Sequence, residues 1–206
     1  MLLTIKHSTR YRFDTPVSYG LQQLRKTPKS SYNQKVLRWE TRIDGGKKEA
    51  VFEDHHRNTT ELISFAPGTL ELSVTSEGEV DVTDTAGIFG PHIGKSPLWL
   101  YEKTTPQTEA GPAARALIKG MPHDRTLQTL HQLCERIRDA VPYTLGASQP
   151  DWTSEDALKA GMGVCQDHTH IFLACARLMG APSRYVSGYL MLNDTIVQDA
   201  MHAWAE

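Results

Sequence analysis

The chain changes texture once, and that change limits the folds open to it. Up to about residue 83 it consists of short apolar or alternating runs separated by turn signals. Beyond about residue 106 it carries helical periods, followed by two further strand-like runs. Strands gathered at one end, then helices followed by strands, describe an α+β chain with segregated blocks rather than alternating βα units. In the first part, Leu2-Leu3-Thr4-Ile5 and Tyr11-Arg12-Phe13 are β-prone, and Asp14-Thr15-Pro16 is expected to break them. Residues 36–43 form a longer strand ended by Asp44-Gly45-Gly46, with Ala50-Val51-Phe52-Glu53 at hairpin distance. Residues 69–75 alternate cleanly, with Leu70, Leu72 and Val74 on one face. The expected organisation is a β-sandwich over 1–85, a linker over 86–106 and a helix-on-sheet core over 107–206.

Composition excludes several classes. With 39% hydrophobic and 22% charged residues and a net charge of −2, the chain is globular rather than disordered, and it is not a polycation. No nucleic acid is therefore expected as a partner. Residues 1–60 carry +6 and the remainder −8, which reads as solvated faces. No run approaches the roughly 18 apolar residues of a membrane span, so no membrane association is expected. The first residues lack the pattern of a secretory leader. Three cysteines make no disulfide framework and fit a reducing, cytoplasmic setting.

The stretch richest in chemistry is Gly161-Met162-Gly163-Val164-Cys165-Gln166-Asp167-His168. Periodicity predicts helices over about 126–141, 153–159 and 165–179, the last two separated by these glycines. Cys165 thus stands where a helix begins. There the dipole favours a thiolate, and free backbone N–H groups are available to an oxyanion. At 100° per residue, Phe172, Ala176 and Met179 fall within about 40° of Cys165, while Gln166, His170 and Arg177 share a polar stripe. Cys134 and Cys175 read as core. His202, in a strand-like run after 184–190 and 195–197, is a base able to face a helix packed on its sheet. His168 and His170 are too near Cys165 in sequence to serve it. Tyr143 and Trp152 are candidates for a second oxyanion donor or for packing, Gln166 for the cleft or for solvent, and Trp204 for packing near His202. Cys165, His168 and His202 hold the residue types of a zinc site but lack its usual spacing, so no metal or other cofactor is expected.

The runs Gly163-Val164-Cys165-Gln166-Asp167-His168, Ala174-Cys175-Ala176-Arg177-Leu178-Met179-Gly180-Ala181-Pro182-Ser183-Arg184-Tyr185-Val186-Ser187-Gly188-Tyr189 and His202-Ala203-Trp204-Ala205-Glu206 resemble, in that order, the core of the transglutaminase-like superfamily. The bacterial transglutaminase-like cysteine peptidases are nearest. His7-Ser8-Thr9-Arg10-Tyr11, residues 24–28 and Asp54-His55-His56-Arg57-Asn58 resemble the β-rich region that precedes this core in them. The resemblance implies a papain-like Cys–His–Asp triad in which Cys165 is the nucleophile and His202 the base, acting on a peptide or protein amide through an acyl-enzyme, as a hydrolase if water takes the acyl group or an acyltransferase if an amine does. It also implies an aspartate on the strand after the histidine. No such aspartate follows His202 within the 206 residues: Asp199 precedes it by three, and Asp167 points away from the Cys165 face. The core is therefore expected to be incomplete at its C-terminal side, and residues 1–206 inactive or nearly so. The alternative is a binding module that keeps the fold without the chemistry.

Overall fold

The computed structural model of the chain describes residues 1–92, 96–192, 197, 198 and 201–206. Two compact units divide it, Met1–Ser96 and Pro97–Glu206. The first contains six strands: β1 (Leu2–Val17), β2 (Leu21–Leu24), β3 (Gln34–Asp44), β4 (Gly46–Glu53), β5 (Thr59–Phe65) and β6 (Thr69–Val82). They form two antiparallel sheets, ordered β1-β6-β3 and β2-β5-β4. Leu24 and Ile63 from one sheet and Leu72 and Val74 from the other are buried together, with Phe13, Ile43 and Phe65 against them. Alternation along β6 supplies the inward face: Leu72, Val74, Ser76 and Val80 are buried, although Leu70 is exposed.

Two expectations for this unit are corrected. Asp14-Thr15-Pro16 does not end the first strand, because β1 lies at a sheet edge and its pairing with β6 is irregular between Arg12 and Val17. A proline there forfeits no ladder hydrogen bond. Asp44-Gly45-Gly46 is a turn, but it closes no hairpin. It carries the chain from β3, paired with β6, to β4, paired with β5 in the other sheet. The passage is tight: a Cβ on Gly45, whose φ is +86°, would collide with the Glu71 carbonyl oxygen, and one on Gly46 with that of Ser64.

The second unit opens with 3-10 turns at Leu98–Glu102 and Pro106–Thr108, inside and beyond the stretch read as a linker. Four helices follow: α1 (Pro112–Leu117), α2 (Leu127–Ala140), α3 (Ser154–Ala160) and α4 (Cys165–Leu178). Strands β7 (Tyr185–Gly188) and β8 (His202–Ala205) form an antiparallel ribbon that packs on α4. The core draws Leu133 and Ile137 from α2, Ala157 from α3, and Ile171, Cys175 and Ala176 from α4. Helix α4 lies at its centre, with Leu173 and Ala174 buried as well. The protein is an α+β fold. Cys134 is exposed rather than core, because α2 turns it away from Leu133 and Ile137. The expected strand at 195–197 lies largely outside the described residues, as does Asp199.

Candidate active site

Cys165 is the first residue of α4 and is partly exposed. The chain leading to it is fixed by backbone pairing. Gly163 N donates to the Pro142 carbonyl (3.3 Å) and Thr144 N to the Gly163 carbonyl (2.8 Å), so 142–144 runs beside the glycine loop. Gly161, at φ +63°, ends α3 in the left-handed conformation that lets the chain turn back.

Three consecutive side chains then hold the first turn. Asp167, only 1% exposed, accepts from Val164 N (2.8 Å) and from Ser148 Oγ (3.0 Å). Its carboxylate caps a helix start whose N–H groups lack intrahelical acceptors. His168 Nε2 donates to the Val141 carbonyl (2.7 Å), tying α4 to the end of α2. Thr169 Oγ1 donates to the Cys165 carbonyl (2.7 Å). An acidic residue three positions after a helix cap is a readable signal, and the structural weight of Asp167 was available from it.

His202 opens β8, opposite Gly188 on β7, and is partly buried. Its Nε2 is 3.0 Å from Gln198 Oε1. Among the described residues no hydrogen bond joins the imidazole to the Cys165 sulfur. Trp204, expected to pack near His202, is 38% exposed, and its indole lies over Gly188, where a Cβ would come within 2.6 Å of it.

The remaining candidates separate. Tyr143 is 54% exposed beside the glycine loop, with its ring 6.1 Å from that of His168. Trp152 is packed against the helical core. Gln166 is partly exposed. Arg177, expected on a polar stripe, is instead anchored: Nε donates to the Tyr101 carbonyl (2.9 Å), Nη1 to Thr108 Oγ1 (2.8 Å) and Nη2 to the Ser183 carbonyl (2.8 Å). Cys175 is sealed in the core, and burial, aided by Glu155, pushes its thiol up to about 12. Burial lowers the pKa of His170, and its ring packs 5.4 Å from that of Tyr185 on β7. Burial raises the Tyr185 phenol, and the charges of Cys165 and Asp167 raise it further, so this tyrosine belongs to the surroundings of the thiol. Its sequence context marked it only as a member of the strand-like run 184–190. No group of three His, Cys, Asp or Glu side chains able to hold a metal occurs among the described residues.

A cysteine opening a buried helix, with a strand headed by histidine packed on that helix in an α+β unit, is the layout of a thiol-dependent enzyme. Residues 113–206 match the transglutaminase-like superfamily, and residues 3–81 match the bacterial transglutaminase-like N-terminal region. An uncharacterized protein of Mycobacterium tuberculosis is 27% identical over 98% of this chain and 71% of its own length. One of Mycobacterium leprae is 24% identical over 99% of this chain and 78% of its own. The crystal structure of a candidate cysteine protease from Cytophaga hutchinsonii superposes with a TM-score of 0.74 at 15% identity, over 99% of this chain and 74% of that one. That last likeness is one of fold.

Proposed function

We propose that the protein cleaves an amide bond of a peptide or protein through an acyl-enzyme on Cys165, with His202 as base. The observation that carries this reading is the position of Cys165: partly exposed, first in α4, on a helix start held by Asp167, His168 and Thr169. The run of the ribbon along α4 supports the pairing with His202. Ser183 meets Arg177 and Tyr185 meets His170, so β7 runs back toward the start of α4. Three strand residues beyond Tyr185 advance about 10 Å, and five helical residues back from His170 cover about 7.5 Å. Gly188, and His202 opposite it, are then level with the first turn.

In the proposed reaction His202 takes the thiol proton and the sulfur attacks the carbonyl carbon. Backbone N–H groups of the first turn of α4 stabilise the oxyanion. The C–N bond breaks as the imidazolium protonates the leaving amine, leaving a thioester. Water, deprotonated by His202, attacks the thioester; the carboxylate product departs and the thiol is restored. Water is the acceptor in this proposal; an amine in its place would give acyl transfer. Among the described residues the side-chain partner of the imidazole is an amide, that of Gln198. Slow turnover is expected, since loss of the carboxylate that supports the histidine of a serine protease costs about 10⁴ in rate.

The test is acylation by p-nitrophenyl acetate followed by mass spectrometry. Acetylation of Cys165, abolished in Cys165→Ala and strongly reduced in His202→Ala, is expected. A cysteine that acquires no acyl group faster than Cys134 would leave the protein a binding module.

A further inference from the structure

We infer that Gln198 is a positioning residue for His202, fixing the tautomer in which Nδ1 is free to take the thiol proton. The inference rests on the role proposed for His202. The argument is one of hydrogen-bond parity. Gln198 Nε2 donates to the Leu190 carbonyl, which can only accept. The amide is thereby oriented, and its oxygen is the atom facing His202 Nε2 at 3.0 Å. An amide oxygen cannot donate, so the imidazole proton must sit on Nε2. Nδ1 then carries the lone pair. A neutral imidazole otherwise divides between two tautomers and is free to rotate; one hydrogen bond removes both freedoms.

Several other polar groups of α4 and the ribbon are held by contacts of their own. Asp167 on α4 is held by Val164 N and Ser148, and His168 by the Val141 carbonyl. His170 packs on Tyr185, and burial raises the Tyr189 phenol to about 12. Glu206 at the far end of the ribbon pairs with Arg184. None of these contacts supplies an acceptor for His202 Nε2.

The two bonds of Gln198 are separable by substitution. Gln198→Glu keeps an acceptor for His202 but loses the donor to Leu190. Gln198→Ala loses both. The assay is the rate of Cys165 alkylation by iodoacetamide between pH 5 and 9 in the 206-residue chain, resolved by peptide mass spectrometry, with Cys134 as the internal exposed thiol. Thermal melts check that each variant is folded. Gln198→Ala is expected to slow Cys165 about tenfold at pH 6.5, the size of one positioned hydrogen bond, while leaving Cys134 unchanged. Gln198→Glu is expected to stay within about twofold of wild type. Slowing by both variants would assign Gln198 to the Leu190 segment and overturn the inference. So would an unchanged rate in Gln198→Ala alongside a slow His202→Ala. If wild-type Cys165 reacts no faster than Cys134 and ignores His202→Ala, the functional reading itself fails first.

Discussion

Replacing Asp167 by alanine should destabilise the second unit by about 3 kcal/mol. The side chain is 1% exposed and accepts two hydrogen bonds, from Val164 N at 2.8 Å and Ser148 Oγ at 3.0 Å. Bonds to a charged acceptor contribute about 1.5 kcal/mol each at the lower end, and a carboxylate at a helix N-terminus adds about 0.3–1 kcal/mol. Alanine also leaves a buried N–H unpaired. For a unit of this size about 4 °C is lost per kcal/mol, so the melting temperature should fall by about 12 °C. Asp167→Asn keeps one acceptor oxygen and loses the charge, and should cost about half as much. Tryptophan fluorescence suits the measurement, since Trp99, Trp152 and Trp204 belong to the second unit and only Trp39 to the first. A loss below about 0.5 kcal/mol, or an asparagine variant as damaged as the alanine one, would refute the reasoning that a buried carboxylate holds the start of α4.

Gly188→Ala should lower stability by about 1–3 kcal/mol, because the new Cβ meets the Trp204 ring at 2.6 Å; Trp204→Phe in the same chain should recover part of that loss in a double-mutant melt. For Asp54, burial raises the carboxyl pKa, but hydrogen bonds from Asn58, Arg25 and His56 outweigh it and hold the pKa well below the usual carboxylate range. A depressed carboxyl contributes stability above its unfolded pKa, about 4, and loses it as the pH falls below that; acid titration of the first unit should show this decline, and Asp54→Asn should flatten it. Cys175, with its thiol pushed up to about 12, should resist alkylation in the folded protein and react only on unfolding.

How far the sequence could be read depended on whether the determining partner was local. Helix α2 begins where expected because Thr126 Oγ1 accepts from Thr129 N three residues on (3.2 Å). Helix α3 does so because Thr153 and Asp156 cap each other's backbone. Helix α1 carries no side-chain cap of its own. Its N–H groups, at Ala113 and Ala114, are satisfied by the carboxylate of Glu155, some forty residues later (3.0 and 2.8 Å). No window over residues 112–117 contains that information. The same reason explains the sheet assignment of β3 and β4: the Gly45-Gly46 signal identifies a turn, but pairing partners decide whether it joins neighbours or crosses between sheets. The position of Cys165 at a helix start was legible from the glycines before it and the apolar period after it. The support for His202 was not, because Gln198 lies outside any periodic segment.

The anchoring of α4 implies that the two partners of the proposed site are held with unequal strength. The helix is fixed at its first turn by Asp167, His168 and Thr169, and near its end by the contacts of Arg177 with Tyr101, Thr108 and Ser183. Buried polar groups are costly unless paired, so each of these bonds selects one position of the helix against displaced alternatives. The ribbon is tied at its far end by the Arg184–Glu206 backbone pair, 2.7 and 3.0 Å, and by the ion pair between their side chains. At the near end, the orientation of the imidazole depends on one amide. Substitutions among the α4 anchors should therefore lower stability and thiol reactivity together. Gln198→Ala should lower reactivity at a smaller cost in melting temperature than the α4 anchors, because its two bonds, to Leu190 and His202, are exposed or only partly buried and contribute about 0.5–1 kcal/mol each to folding. A site built in this way keeps its nucleophile rigid and leaves the tuning of its base to a residue outside the packed core.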